Sequence, residues 1–166
     1  MKRMLTGLAA ILAVLLCLTA CQQTAGQSGE VSSKAQLTVT RADGNKVKVT
    51  MDTLKDMQAV EFTTEQGTSQ TEAEKNTHKG VLLKDLLDKI GVDAAAVTEL
   101  KVTSTDGFSA VYSGAQLDDP EKLYLTYAMD GEALVDDNGT DVFYIVARNE
   151  QFKQNWTKYL ESIEVR

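Results

Sequence analysis

The sequence is short of cysteine, histidine and positive charge, and each shortage removes a class of chemistry. Its 166 residues include two cysteines, Cys17 and Cys21, so residues 22–166 contain no thiol. That stretch forms no disulfide and offers no cysteine nucleophile, iron–sulfur cluster ligand or thiolate metal site. The single histidine, His78, could carry a proton or ligate a metal. With no cysteine and only Glu72 and Glu74 near it in sequence, it makes a poor metal site, and none is expected. Lysine and arginine number 17 against 24 acids, a net charge of −7. A phosphate backbone is repelled by that balance, which excludes nucleic acid as a partner. A serine–histidine–acid triad and a phosphate loop are also missing.

Long apolar runs are equally scarce. The only one, Leu5 to Leu18, follows Lys2 and Arg3. It falls short of the about 20 apolar residues that cross a bilayer, and its flanks are those of a signal peptide. Leu18-Thr19-Ala20-Cys21 then resembles a bacterial lipobox, in which the chain is cut before the cysteine and the cysteine is lipidated. Residues 1–20 are therefore expected to be a lipoprotein signal peptide and Cys21 the lipidation site. A plain signal peptide or an anchor helix would leave the placement of Cys21 unexplained. Loss of Lys2 and Arg3 reduces 17 basic residues to 15, a mature net charge of −9 with the same 24 acids. That charge disfavours a peripheral grip on anionic lipid, so the acyl chains would do the anchoring. The expected location is extracytoplasmic, lipid-anchored to the bacterial cell membrane.

Residues 21–36 are rich in Gln, Ser, Gly and Thr without apolar periodicity, as in a flexible tether. Residues 37–166 then suffice for one domain with a core of its own. Alternation and turn residues predict a hairpin over 36–50, closed by Asp43-Gly44-Asn45, and strands at 60–64, 99–104, 108–112, 123–129, 142–147 and 161–165. Residues 65–77 read as a loop or a loosely paired hairpin. Short helical turns are expected at 53–57, 94–96 and 113–117. Val81, Leu82, Leu86, Leu87 and Ile90 make a helical stripe ended by Gly91, which predicts a helix over 81–90. The sum is an α+β domain with more strand than helix.

Three segments in order carry a resemblance. They are Gly80-Val81-Leu82-Leu83-Lys84-Asp85-Leu86-Leu87 with Gly91-Val92; Val102 to Phe108, ending in Asp106-Gly107-Phe108; and Gly131-Glu132-Ala133-Leu134, Asn138-Gly139, Val142 to Val146, then Trp156, Lys158 and Ile163. This pattern resembles the molybdopterin-binding domain of the sulfite oxidase family over roughly residues 37–166. The resemblance implies that family's α+β fold, with a mixed, barrel-like β-sheet, in reduced form. It also implies a molybdenum-ligating cysteine upstream of the Gly-Val segment, around Thr63 to Gln66, where this chain has none. In the family's Gly-Gly-Pro-x-Arg strand, Gly139 matches the first glycine, Asp141 stands at the proline and Phe143 at the arginine. Molybdopterin is the cofactor the family would supply, yet with ligand cysteine and arginine absent none is expected here.

The candidate ligand-binding residues are His78, Thr64, Glu65, Asp106 and Arg148; no catalytic residue and no metal ligand is assigned. The ordinary alternatives are a surface or capping role for His78, a turn role for Asp106, and solvent or a salt bridge for Arg148. Asp136, Asp137, Asn138 and Asp141 could attract calcium, but Leu134 breaks the EF-hand spacing and a hairpin turn suits Asn-Gly better. Tyr112, Tyr124, Tyr127, Tyr144 and Trp156 could line a pocket, with core packing the default. The expected function is a surface-tethered, non-catalytic module that binds a small ligand or docks on a membrane redox or transport complex. The alternative is a molybdopterin-dependent oxidoreductase with an atypical cofactor site.

Overall fold

The computed structural model describes residues 34–68, 71–149 and 156–166. The expected signal peptide, Cys21 and the tether up to residue 33 lie outside the described residues. Within them, no helix is long and apolar enough to cross a membrane.

Two five-stranded sheets form the core. The first contains β1 (Gln36–Thr40), β2 (Lys46–Thr50), β5 (Glu99–Ser104), β6 (Ser109–Ser113) and β10 (Leu160–Val165), in the order β2-β1-β10-β5-β6. β1 and β10 run parallel while the other pairs are antiparallel, so this sheet is mixed. Leu37 and Val39 face Val49 and Val47 across the first hairpin, which sets its register by burial of one face. The second sheet contains β3 (Val60–Thr68), β4 (Thr71–Leu82), β7 (Leu123–Met129), β8 (Glu132–Ala133) and β9 (Tyr144–Ala147). β4 pairs with β3 and β7, and β8 and β9 both pair with β7. All four residues of β9 are buried, as expected of an apolar run with both faces covered.

The sheets are tied together where the chain passes from one to the other. Ile145 bridges Thr157 and the Leu160 N–H donates to Phe143 O at 2.9 Å, while the Thr105 N–H donates to Tyr159 O at 2.9 Å and extends the β5–β10 ladder. Tyr159 has φ +52, a left-handed conformation held by these contacts at the crossing. Tyr112 Oη and Thr157 Oγ1 add a buried hydrogen bond of 2.8 Å across the same seam. The α+β class, mostly strand with a few short helices and one mixed sheet, is as the resemblance implied.

Several boundaries differ from expectation. The long helix is shorter: α2 spans Leu83–Lys89, because Val81 and Leu82 continue β4 and pair with Leu125 and Tyr124. Sheet pairing thus outweighs the helical stripe at its first two positions. Leu83, Leu86 and Leu87 still bury their side chains in the core. The first helix moves upstream to α1 (Met51–Leu54), where Thr53 Oγ1 accepts the Thr50 N–H at 3.1 Å and secures the start. α3 spans Gly114–Asp118, and a 3₁₀ turn covers Ala94–Ala96. Of the two readings of 65–77, loop or loosely paired hairpin, the described residues take the hairpin, with Glu65 opposite Lys75 and Thr64 opposite Asn76. β9 begins at Tyr144 because the Val142 N–H is taken by Leu134 O at 2.9 Å.

Gly80, the first residue of the family-like helix segment, has a packing reason. A Cβ there would stand 2.3 Å from Leu125 O and 2.8 Å from the Thr126 Cα. The β4–β7 register shifts between Lys79 and Gly80, and only glycine permits this approach at the bulge.

Candidate functional site

Strand alternation turns Phe62 and Thr64 of β3 inward and leaves Glu61, Thr63 and Glu65 exposed. The antiparallel register sets Phe62 opposite His78 of β4. His78 is 0% exposed, and its Nε2 lies 3.1 Å from the Thr64 hydroxyl. Which of the two donates follows the imidazole tautomer. His78 also stacks against Phe62, with ring centres 5.5 Å apart, and meets the edge of Trp156 at 5.0 Å. Tyr124 tilts against Phe62 at 4.5 Å. Trp156 is held in turn by its indole N–H, which donates to Ala147 O at 3.2 Å.

Arg148 closes this cluster on the outside. Its Cζ stands 5.6 Å from the Phe62 ring centre, within cation–π range. The half-buried guanidinium therefore rests on an aromatic face, and among the described residues no salt bridge holds it. His78 is likewise neither a surface nor a capping residue. It is a buried strand residue, because β4 runs on through a stretch whose polar composition suggests a loop.

Three of the five candidates thus meet around Phe62: His78 stacks on its ring and bonds Thr64, and Arg148 stands within cation–π range of the same ring. Glu65 faces solvent on the other side of β3. Asp106 sits in the β5–β6 turn of the other sheet, where its Oδ1 accepts the Phe108 N–H at 3.0 Å. Phe62 itself is absent from the residues that sequence reasoning singles out. The signal lies in the register, since a hairpin pairing 60–65 with 75–80 puts it across from the only histidine.

The remaining aromatics are mostly core. Tyr112, Tyr124, Tyr144 and Trp156 are buried, and Tyr127 packs partly buried against the core. Burial, with a hydrogen bond to Tyr159 added, pushes the Tyr144 phenol well above its ordinary value. It stays protonated as a neutral group, with Lys158 Nζ 5.9 Å from its ring centre. The 136–141 segment is a turn: Asp136 Oδ1 accepts the N–H groups of Asn138 and Thr140 at 2.9 and 2.8 Å.

The cluster can be tested against the cofactor that the resemblance implies. A molybdenum centre of that kind is held by a thiolate, a soft donor. Among the described side chains of the corresponding stretch, the inward-facing group is the Thr64 hydroxyl, 6% exposed and already bonded to His78. Phe143, at the position of the family's arginine, is wholly buried in the apolar core. This donor set does not fit a thiolate-held molybdenum. Among the described residues, no three His, Cys, Asp or Glu side chains converge to hold a metal ion.

Comparisons with known proteins agree with the fold. No curated protein matches the chain in sequence. Among solved structures it is similar to the sulfane dehydrogenase SoxCD from Paracoccus pantotrophus, with a TM-score of 0.64 and 16% identity. The match covers 82% of this chain and 39% of that one, so the chain spans well under half the length of the SoxCD chain. The family model described as the oxidoreductase molybdopterin binding domain matches residues 28–166. With that match over most of its length, and the sheets and Gly80 approach described above, the chain belongs to the oxidoreductase molybdopterin-binding domain family.

Proposed function

We propose that this protein is a lipid-tethered, extracytoplasmic accessory module that keeps the molybdopterin-domain scaffold and uses it to bind without catalysing a redox reaction. The carrying observation is the Thr64–His78 pair. Where the family resemblance calls for a thiolate, the inner face presents a hydroxyl that is spent on a buried imidazole. A scaffold can outlast its chemistry, because function resides in the side chains placed on it. The mature charge of −9, from 15 basic and 24 acidic residues, suits an anchor made by the lipid on Cys21 and not by the protein surface. The partner on this reading is a membrane redox or transport complex reached from the tether, or a small ligand.

The test is intact-mass and metal analysis of the full protein, produced in a host that makes molybdenum cofactor. The expected result is a polypeptide mass starting at a diacylated or triacylated Cys21, with neither pterin nor molybdenum. A pterin mass increment with stoichiometric molybdenum would overturn the non-catalytic part. An unmodified Cys21 would overturn the anchoring part. The family match favours one alternative, an oxidoreductase that holds the pterin without a protein thiolate. Those same mass and metal readings decide between the two.

A further inference from the structure

The sheets end in strands with different defences. β2 closes the first sheet on one side and carries Lys46 and Lys48, and β3 closes the second and carries Glu61 and Glu65. Such charges keep an edge from pairing with another chain. β6, at the other end of the first sheet, reads Ser-Ala-Val-Tyr-Ser, without charge or proline, and its register with β5 runs without a bulge. Two of the three large apolar side chains exposed among the described residues, Phe108 and Val111, lie just before it and at its centre.

The backbone pairing shows which groups β6 leaves open. Glu99 and Arg166 exchange both of their backbone bonds, at 2.9 and 3.2 Å, so Glu99 faces β10 and Leu100 faces β6. On the same alternation, the Gly114 N–H donates to Thr98 O at 2.8 Å and the Ser104 N–H to Phe108 O at 2.9 Å. Within β6, Ala110 and Tyr112 therefore bond β5, while Ser109, Val111 and Ser113 turn their N–H and C=O groups to the open side. The Ser113 N–H is taken by Gln116 Oε1 at 3.0 Å. Among the described residues, no strand lies beyond β6 to meet the others.

We infer that β6 pairs with β6 of a second copy of this chain, antiparallel, about a two-fold axis at Val111. A two-fold contact needs a surface complementary to itself, and this strand supplies one. An antiparallel copy sets Val111 against Val111 and each Ser109 against the Ser113 of the other. Each Val111 N–H then donates to the opposite Val111 carbonyl, and each Ser109 N–H to a Ser113 carbonyl. The pairing makes no use of the Ser113 N–H that Gln116 holds. The nearest charge in the Val111 row is Lys101, directly across on β5. In the pair the two lysines lie three strand spacings apart, about 14 Å, beyond the about 8 Å at which salt screens charge. The chain's own tether is a poorer occupant, since it joins the domain at β1, and β10 and β5 stand between β1 and β6. The inference goes beyond the function proposed above and is independent of it.

Cysteine cross-linking of the intact protein in detergent tests this, with the unsubstituted chain run beside it to account for Cys21. Residues directly opposite in such a pair have Cα atoms about 5.5 Å apart, within disulfide reach. Val111→Cys is expected to give a disulfide-linked dimer under mild oxidant, and a mixture of Ser109→Cys with Ser113→Cys a mixed one. Ser109→Cys alone should give none, because its two copies stand four residues, about 13 Å, apart along the strands. Native mass spectrometry of the unsubstituted protein should show the dimer. Val111→Lys, which sets two lysines face to face, should raise its dissociation constant about fivefold with an unchanged thermal midpoint. Equal cross-linking by every variant would mean chance collision and overturn the inference, as would a monomer in which neither Val111→Cys nor the mixture links. Slow hydrogen exchange at the Ser109 and Val111 amides of a protein that stays monomeric would assign the edge to the tether and likewise overturn it. Should Val111→Cys fail to fold, the mixture carries the test.

Discussion

Two hairpins of similar type carry candidate residues to opposite fates. β3–β4 brings Thr64 and His78 under a lid of Phe62, Tyr124 and Trp156. β5–β6 leaves Asp106 in its turn, with Phe108 48% and Val111 58% exposed nearby. The difference is position in the sheets. β4 lies between β3 and β7 and has its inner face covered, whereas β6 is an edge strand with β5 as its only neighbour in the sheet order. A polar residue acquires a consequence in the first setting because its partners are fixed and water is excluded. In the second it is solvated and interchangeable.

Glycines at the two hairpins give the largest contrast. Gly80→Ala would drive a Cβ into the backbone of β7, and the nearest atom, Leu125 O, cannot swing away as a side chain would. The expected cost is about 3 kcal/mol, at the upper end for overpacking, read as a lower urea midpoint. Gly107 has φ +86, and a Cβ added there would meet nothing within 4 Å, so Gly107→Ala brings strain but no clash. Its expected cost is about 1 kcal/mol. Equal losses at the two sites would mean that the β4–β7 approach is less tight than described.

Next in size is Thr64→Val, which keeps the shape and removes the hydroxyl. His78 Nε2 then loses its bond in a dry setting, at an expected cost of about 1–2 kcal/mol. Thr103, half-buried on β5 with a solvent-facing 3.4 Å hydroxyl contact to Ser109, provides the control. Thr103→Val should stay within about 0.5 kcal/mol, the usual range for surface positions. Chemical denaturation of both variants checks the pair, and a Thr64→Val loss no greater than the control's would remove the special standing of the cluster.

Much of this fold is legible in the sequence because apolar alternation is a strong signal. Leu37, Val39, Val47 and Val49 announce the first hairpin, and the strands Leu123 to Met129 and Glu99 to Ser104 begin and end where the pattern puts them. What does not show is strand made of polar residues. Thr71 to Asn76 carries no apolar pattern, so the stretch reads as a loop or a loosely paired hairpin, and His78 beside it as a surface or capping residue. The start of α2 is hidden for a related reason: Val81 and Leu82 satisfy a helical stripe and a buried strand equally well, and long-range pairing with β7 decides. The site is half legible. Residue type alone selects Thr64, His78 and Arg148, but also Glu65 and Asp106; the facing direction of β3 sets Glu65 apart, and its place in the β5–β6 turn of the other sheet sets Asp106 apart.

The smallest effect expected is one of pH, at a turn that braces the β3–β4 hairpin. Asp130 accepts the Thr77 N–H at 2.7 Å and the Asn76 amide at 3.1 Å, tying the β7–β8 turn to β4. Those bonds, the backbone one foremost, hold its carboxyl below the ordinary 3.8. A depressed folded-state value means stability that is present above the unfolded value and lost as pH falls through the folded one. Wild type should therefore lose this contribution only below about pH 4, on the acid limb. Asp130→Asn is the appropriate variant, because Asp130 has φ +53 and asparagine tolerates that conformation. The amide keeps an acceptor for Thr77 but cannot titrate. Urea midpoints from pH 7 to pH 3 should show the variant slightly less stable at neutrality and converging with wild type as the pH drops. Since Asp130 is fully exposed and its bonds are shared with water, the gap should be small, and parallel curves would show that the brace does not depend on charge.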